Sequence, residues 1–343
     1  MGVTISGTAL PSRAQVSFVV DGDRLRTTPS STADSLWLLP GLTDVHSHAG
    51  MEKPGDDYSH SMFRRHMLAH RAAGVLTVRS PGSPDPLPDR PDDPDLPRLV
   101  RGGAWLATPG RFFPSYGRRV SEEELVAAAV EEAAVGWCKV IGDWMPDDPP
   151  VPLDLLTAVV SAVHATGGRV AVHCQTAEGC RNAVLAGADS LEHGMHLDHS
   201  LLPRMAAQGT ALVPTFSAFA KAASGLHDVP DPRLREWLLG GWEHAFPTVR
   251  AAHEAGVTVL AGTDDKPCGE VAGEISWLIK AGMPVEAAIG AGSWTAREWL
   301  GLPGLEDGGF ADVVAYDADP VEDPSVLTRP SLIVLRGNVI ADA

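Results

Sequence analysis

A repeated unit, a short β-branched run followed by an alanine-rich helical stretch, constrains this chain more than any other feature. The unit is visible around Ala72–Arg79, Val163–His173, Ala183–His193 and Ala251–Asp264. Strands that alternate with helices of this length indicate parallel βαβ units. Eight such strands predict an α/β fold, a (β/α)8 TIM barrel. The candidate strands are Leu42–Ala49, Val75–Ser80, Arg98–Leu106, Trp137–Gly142, Arg169–Cys174, Ser190–His193, Leu212–Phe216 and Val257–Thr263.

The two ends of the chain follow a different pattern, because residues 1–37 and 310–343 alternate apolar and polar positions. Turn sequences at Asp21-Gly22 and Gly337-Asn338 divide these ends into short strands. We expect one small β-sandwich built from both termini. The predicted organisation is a small domain of residues 1–38 and 305–343 beside a hydrolase barrel of residues 39–304.

Two links between the predicted barrel strands stand out. Ser121 and Glu124 form a capping box, which predicts a helix running to Ala134 before the fourth strand. Residues 81–97 (PGSPDPLPDRPDDPDLP) are dense in proline and aspartate, so no helix can run through them. The composition of this segment predicts an extended loop in place of the second barrel helix. Such a loop would either cover the mouth of an active site or form a solvated connection.

Charge and cysteine content restrict the class of partner. With 27 basic and 44 acidic residues the net charge is −17, which repels nucleic acids and anionic membranes and favours a small-molecule substrate. The four cysteines form no CxxC pair, which is typical of reduced thiols in a cytoplasmic protein. The sequence shows neither a secretion signal nor a membrane span. Homo-oligomer formation is left open.

Histidine and aspartate side chains come at the ends of several predicted strands. His46 and His48 alternate in TDVHSHA, so they point to the same side of the first strand. His173, His193 and Asp264 end the fifth, sixth and eighth strands. Barrel active sites are built at the carboxyl ends of the strands, and histidine and aspartate are side chains of the types that bind metal ions. The pattern therefore predicts a metal site at this rim.

Lys139 lies within the apolar run GWCKVIG of the fourth strand. Burying its charge is costly, so a special role is expected. One interpretation is an ion pair with a buried acid such as Asp143. The other is a neutral amine that has reacted with carbon dioxide, giving a carbamate able to bridge two metal ions.

This set of residues resembles the binuclear amidohydrolase superfamily, in particular the imidazolonepropionase-like branch that includes Xaa-Arg and Xaa-Pro carboxypeptidases. The resemblance covers nearly the whole chain. The phrases that carry it are PGLTDVHSHA at 40–49, AGVLTVRS at 73–80, AGADSLEHGMHLD at 186–198, AGTDD at 261–265, AGMPVEAAIGAGSWTAREWLGL at 281–302 and GGFADVVAYDADPVED at 308–323.

The resemblance implies a hydrolase that cleaves an amide (C–N) bond, with an N-acyl amino acid or dipeptide as substrate. It implies two divalent metal ions, a bridging hydroxide, a carbamate on Lys139 and proton transfer by Asp264. Zinc fits the ligand types best, although manganese, iron and cobalt also accept nitrogen and oxygen ligands. The implied metal ligands are His46, His48, Lys139, His173, His193 and Asp264.

Several alternatives stay open at this point. The same metals would serve a cyclic amide hydrolase of the imidazolonepropionase or hydantoinase kind, or a lactonase. A mononuclear deaminase fits less well, since such relatives generally lack the Lys139 equivalent. A non-catalytic scaffold would be expected to have lost ligands that this chain keeps.

Substrate contacts are predicted from the loops. Tyr116, Arg118 and Arg119 follow the third strand, where an arginine would hold a substrate carboxylate and the tyrosine would assist the carbonyl. A solvated loop explains them equally well. His196, after the sixth strand, is a further candidate for substrate binding or for a supporting position.

Overall fold

The computed structural model describes residues 3–29, 35–53, 56–83, 93–113 and 116–340. Within these residues the strands are β1 (Thr4–Ala9), β2 (Ala14–Asp21), β3 (Arg24–Thr27), β4 (Trp37–Pro40), β5 (Leu42–Asp44), β6 (Val75–Ser80), β7 (Arg98–Ala107), β8 (Arg118–Arg119), β9 (Trp137–Ile141), β10 (Arg169–Cys174), β11 (Ser190–His193), β12 (Ala211–Val213), β13 (Val313–Tyr316), β14 (Leu332–Leu335) and β15 (Asn338–Val339). The α-helices are α1 (His60–Ala72), α2 (Leu125–Glu132), α3 (Leu153–Ala165), α4 (Ala177–Ala186), α5 (Leu202–Gln208), α6 (Phe216–Ala223), α7 (Pro232–Glu254), α8 (Val271–Lys280), α9 (Val285–Ala291) and α10 (Trp294–Trp299).

A curled parallel sheet forms the centre of the fold, in the order β12-β11-β10-β9-β7-β6-β5, with the short β8 beside β7. Residues of β6, β9 and β11 are buried at every position, and β10 is buried beyond Arg169. Parallel strands with both faces covered are expected to be apolar throughout rather than alternating. The α/β class and the parallel arrangement predicted from the sequence are therefore confirmed.

The predicted eighth strand, residues 257–263, has no regular strand geometry, but it contacts both edges of this sheet. The amide of Leu212 in β12 donates to the carbonyl of Thr258 at 2.9 Å. The amide of Val45, just after β5, donates to the carbonyl of Ala261 at 3.0 Å. The segment therefore lies between the first and last strands of the curled sheet.

The two ends of the chain share one sheet, in the order β15-β14-β13-β4-β1-β2-β3. The turn between β2 and β3 is where the sequence placed it, and Gly22 has a φ of +61°, a conformation that favours glycine. The sheet covers a small apolar cluster that includes Ile5, Phe18, Leu25 and Val313. Because the strands form a single sheet, the predicted sandwich of two sheets is not confirmed.

Two local expectations concern the capping box and the 81–97 loop. The carboxylate of Glu124 accepts hydrogen bonds from both the amide and the hydroxyl of Ser121, and the first of these bonds is one half of the predicted capping box. Regular geometry in α2 begins after this turn, at Leu125. The described parts of the 81–97 loop contain no helix, as expected. Its predicted role as a lid depends mainly on residues 84–92, which lie outside the described residues.

No described helix combines the length and the apolar character that spanning a membrane requires.

Candidate active site

Four of the predicted ligands meet at the carboxyl end of β5. Nε2 of His46 lies 3.1 Å from Nε2 of His48 and 3.4 Å from Nζ of Lys139. Oδ1 of Asp264 lies 3.3 Å from Nε2 of His48 and 3.8 Å from Nε2 of His46. Ligand atoms of the two histidines and the aspartate all fall within 4.8 Å of one another. Such convergence of nitrogen and carboxylate donors is what a divalent cation requires.

The other two predicted ligands lie beside this group. The rings of His173 and His193 have centroids 4.5 Å apart, and the His193 ring lies 5.4 Å from that of His46. Together with Lys139 and Asp264, all of the predicted ligands line one cavity of about 380 Å³. The structure therefore brings the six predicted residues together.

Strand ends and tight backbone turns set these positions. His173 lies within β10, and His193 is the last residue of β11. His193 has a φ of +71° and Asp264 a φ of +47°, in the left-handed region that non-glycine residues seldom occupy. The backbone therefore turns sharply at both of these predicted ligands. Strained residues of this kind cluster at functional sites.

A buried ion pair, which the sequence analysis missed, lies behind His46. Nδ1 of His46 donates to Oε2 of Glu192 at 2.7 Å, and Oε1 of Glu192 accepts from the Arg79 guanidinium at 3.2 Å and from the hydroxyl of Ser190 at 2.5 Å. Arg79 also stacks on the Trp137 ring, with 3.9 Å from its guanidinium carbon to the centroid. Because Nδ1 donates to Glu192, Nε2 of His46 presents its lone pair to the cavity.

His193 has a different partner, also missed. Its Nδ1 lies 2.8 Å from the hydroxyl of Thr215. Thr215 precedes α6, whose first amides at Phe216 and Ser217 donate to the buried carboxyl of Glu274 at 2.9 and 2.7 Å. A buried acid inside an apolar run, such as Glu192 in DSLEH or Glu274 in GEISWLI, is as costly as Lys139 and is the signal that would have found them.

Burial sets the electrostatics of the site. It lowers the pKa of His48, His173 and His193 well below the usual value, with further lowering from neighbouring positive groups. Neutral imidazole is the form that binds a metal. Burial also lowers the pKa of Lys139, although Glu192 and Asp264 oppose the shift. A lowered pKa raises the fraction of neutral amine at a given pH.

Asp143, the alternative partner considered for Lys139, is occupied elsewhere. Its buried carboxylate accepts hydrogen bonds from the amides of Gln175 and Thr176, each at 2.8 Å, and from the Thr176 hydroxyl at 2.7 Å. Asp143 thus fixes the start of α4. The structure therefore does not support an ion pair between Lys139 and Asp143.

Of the predicted substrate contacts, some line the cavity and others do not. Tyr116 lines the cavity and its hydroxyl donates to the sulfur of Met51. Arg118 does not line it; its guanidinium pairs with Glu131 at 2.7 Å and Glu132 at 2.9 Å. The carboxylates of α2 hold this arginine, so the geometry gives a substrate contact at Arg118 no support.

His196 also lies away from the cavity lining. Its ring stacks on Trp237 at 4.9 Å, and its Nε2 lies 3.2 Å from the carbonyl oxygen of Trp237 in α7. Arg119, next to Arg118 in β8, donates to the carbonyls of Arg111 and Phe113. The geometry supports neither side chain as a substrate contact, because each is held by backbone carbonyls.

Residues 37–340 match the family model described as "Amidohydrolase family". The chain belongs to the amidohydrolase family. The resemblance drawn from the sequence is thereby confirmed at the level of the family. An uncharacterised protein of Mycobacterium tuberculosis is 36% identical in an alignment of 355 positions. The alignment covers 97% of this chain and 94% of that protein.

Solved amidohydrolase-like structures share the fold. A Xaa-Pro dipeptidase with methionine bound in its active site has a TM-score of 0.85 at 24% identity, covering 98% of this chain and 99% of that one. The ochratoxinase of Aspergillus niger is 30% identical over 172 residues, 48% of this chain and 35% of its own length. Its solved structure has a TM-score of 0.80 at 19% identity, covering 98% of this chain and 94% of that one.

Proposed function

We propose that this protein is a metal-dependent hydrolase that cleaves the amide bond of a small molecule. The observation that carries the proposal is the meeting of His46, His48 and Asp264 within 4.8 Å, beside the buried Lys139. Membership of the amidohydrolase family supports the same reaction class. Relatives that are named for dipeptides and for ochratoxin suggest an N-acyl amino acid or a dipeptide as substrate.

The fold that we propose for this site is a (β/α)8 barrel, closed by residues 257–263 between β12 and β5. The backbone hydrogen bonds that the amides of Leu212 and Val45 donate to this segment support closure at this seam. We also propose the domain division expected from the sequence, with residues 39–304 as the barrel and residues 1–38 and 305–343 as the small domain. In this arrangement the cavity lies at the carboxyl ends of the strands.

The donor atoms fit divalent metal ions. With Nδ1 of His46 donating to Glu192, its Nε2 lone pair, Nε2 of His48 and the Asp264 carboxylate lie close together. Two imidazole nitrogens and a carboxylate oxygen at such distances are a donor set that suits a divalent cation. We propose that His46, His48 and Asp264 hold one ion, and His173 and His193 a second. Zinc is the metal proposed from ligand type.

Lys139 is proposed to carry a carbamate, whose oxygens would help the other ligands to hold the metal ions. Its Nζ attacks carbon dioxide, a nitrogen–carbon bond forms and one proton leaves, so that a neutral amine becomes an anionic ligand with two oxygens. The lowered pKa of the buried amine favours the reactive neutral form. The carbamate charge also offsets the positive charge of two ions in a buried site.

Bound metal ions would polarise the substrate carbonyl and lower the pKa of a water molecule towards 7. The Asp264 carboxylate would take up the proton that the attacking water loses when it adds to the carbonyl carbon. The same carboxyl then delivers the proton to the leaving nitrogen as the carbon–nitrogen bond breaks. Glu192 and Arg79 keep Nε2 of His46 directed at the cavity, and Thr215 orients His193.

The decisive experiment combines metal analysis with a hydrolysis screen. Protein prepared with bicarbonate and zinc should hold two ions per chain and hydrolyse members of a panel of N-acyl amino acids, dipeptides, cyclic amides and lactones. Labelled bicarbonate should give a carbamate carbon signal that Lys139→Ala abolishes. A metal-free protein without activity after reconstitution would favour a scaffold, and turnover confined to cyclic amides or lactones would reassign the substrate.

A further inference from the structure

One side of the cavity is lined by five aromatic side chains that the proposed chemistry does not use. We call this set the aromatic wall. It comes from β7, from the loop that follows β7 and from the loop after β9. Its members are Trp105, Phe112, Phe113, Tyr116 and Trp144.

The rings of the aromatic wall contact one another continuously. Trp105 lies 4.6 Å from Tyr116 and 5.3 Å from Phe112, measured between ring centroids. Trp144 lies 5.0 Å from Phe112 and 4.9 Å from Phe113. These pairs are edge-to-face, an arrangement that aromatic rings prefer. The wall is therefore an ordered surface rather than scattered apolar residues.

The aromatic wall reaches both halves of the imidazole cluster. The ring of Trp105 lies 4.8 Å from that of His48. Phe112 and Trp144 each lie 5.8 Å from the ring of His173. A substrate whose amide lies among the proposed metal ligands would therefore place a neighbouring substituent against this wall.

Core packing does not account for the aromatic wall. Trp105 and Tyr116, with Met51 and the adjoining Phe112, form an apolar cluster separate from the main core. Phe113 is 38% exposed and Trp144 is half-buried, both at the cavity. Leaving such rings partly in water forgoes the free energy of burying apolar surface. An apolar ligand in the cavity would recover part of this free energy.

We propose that the aromatic wall binds an aromatic ring carried next to the scissile amide, on either the acyl or the amine side. The substrate class is then aromatic amides, rather than amides with only small alkyl groups. This inference rests on the proposed function, because it places the amide at the His46–Asp264 cluster. Pairs of aromatic rings in offset or edge contact are favourable beyond the apolar area that they bury.

Two pairs of probes test the proposal. N-benzoylglycine against N-acetylglycine varies the acyl side, and N-acetylphenylalanine against N-acetylalanine varies the amine side. We expect kcat/KM to be at least about tenfold higher for the aromatic member of one pair, which is the range for apolar pockets. Ratios within twofold in both pairs would overturn the proposal.

Matched variants identify the residues responsible. Phe112→Leu and Trp144→Leu should each lower the aromatic preference severalfold, mainly through KM. Phe246→Leu is the control, since Phe246 is also a half-buried ring in an aromatic cluster but does not line the cavity. An equal loss of preference in Phe112→Leu and Phe246→Leu would indicate general destabilisation and contradict the assignment.

Measuring binding in a variant that does not turn over substrate separates the test of the aromatic wall from the test of hydrolase activity. Calorimetry on the Asp264→Asn chain measures the affinity for the four uncleaved probes. Tighter binding of aromatic probes, lost in Asp264→Asn/Trp144→Leu, supports the wall even if no amide is ever hydrolysed. Hydrolysis of both members of each pair at equal rates would leave the hydrolase intact and remove the aromatic wall from substrate recognition.

Discussion

His46 and His193 are neighbouring rings of the imidazole cluster, 5.4 Å apart, but different groups hold them. His46 belongs with His48 to one half of the cluster, the His46 end, and His193 belongs with His173 to the other, the His193 end. His46 contacts the carboxylate of Glu192, which forms a fully buried ion pair with the guanidinium of Arg79. Behind His193 is the Thr215 hydroxyl at the start of α6. The first is a strong but costly charged contact, and the second is a neutral hydrogen bond of modest net free energy.

This difference has a consequence for metal binding. At the His46 end the ligand atoms of three residues already converge, whereas His173 and His193 are related by ring contact at 4.5 Å. We therefore expect the His46 end to bind its ion more tightly. Removing the Glu192 contact of His46 should therefore lower metal affinity more than removing the Thr215 contact of His193.

Asp264→Asn should have the largest effect. The amide keeps the shape of the carboxylate but neither accepts the proton nor carries the charge, so kcat should fall by about a thousandfold or more. The rate of the best panel substrate and the thermal midpoint are the measurements. Asp265→Asn is the matched control, because that carboxylate pairs with Lys221 instead. Equal losses in both variants would remove Asp264 from proton transfer.

Glu192→Gln tests the charged support directly. It leaves the Arg79 charge buried without its partner, which should lower the free energy of unfolding by about 3–5 kcal/mol. Metal affinity, measured by chelator competition, should fall about 10–100-fold. The double change Glu192→Gln/Arg79→Met should recover stability but not metal affinity. Recovery of both would show that the pair is structural only.

Thr215→Ala is the corresponding change at the other end. Loss of one neutral hydrogen bond should lower the free energy of unfolding by about 1 kcal/mol. Metal affinity should fall less than in Glu192→Gln, and the fall should concern the more weakly held ion. If Thr215→Ala releases metal as readily as Glu192→Gln, the comparison between the two ends is wrong.

The support of the His193 end is also expected to depend on pH. Burial raises the pKa of Glu274, which caps α6, from 4.5 to about 8. The folded state then binds this proton more tightly than the unfolded state, so the stabilisation is fully present below pH 4.5 and is lost progressively towards pH 8. Urea titrations of the wild type and Glu274→Gln at pH 5 and 8 check this. The fall in stability between these values should be smaller in the variant; identical falls would contradict it.

His196→Gln should have the smallest effect. Its ring stacks on Trp237 and lies outside the cavity lining, so kcat/KM should change by about twofold or less. The measurement is the rate of the same panel substrate at matched metal content. A tenfold loss would return His196 to the site and extend the cavity towards α7.

Much of the site could be predicted from the chain because strand periodicity is local. His46 and His48 share a face, and strands such as β10 and β11 end where their apolar runs end. Lys139 stood out because a lysine in a buried strand needs a reason. The parallel sheet followed from the same alternation of strands and helices.

The partners of these residues could not be predicted in the same way. Glu192 is 146 residues from His46, and Arg79 is 113 residues from Glu192. Neither the spacing nor the residue type says which strands face each other across the interior of a curled sheet. For the same reason Arg118 resembled a substrate contact until α2 placed Glu131 and Glu132 beside it.

Residue type and local period are enough to predict where the apolar strands end and which chemistry their side chains allow. The contacts of Glu192 with His46 and of Thr215 with His193, in contrast, arise only when the chain is folded. The tertiary structure also brought Trp105, Phe112 and Trp144 together as one surface. Contacts across the curled sheet join segments far apart in the chain, and packing of the whole fold, rather than any local pattern, sets their geometry.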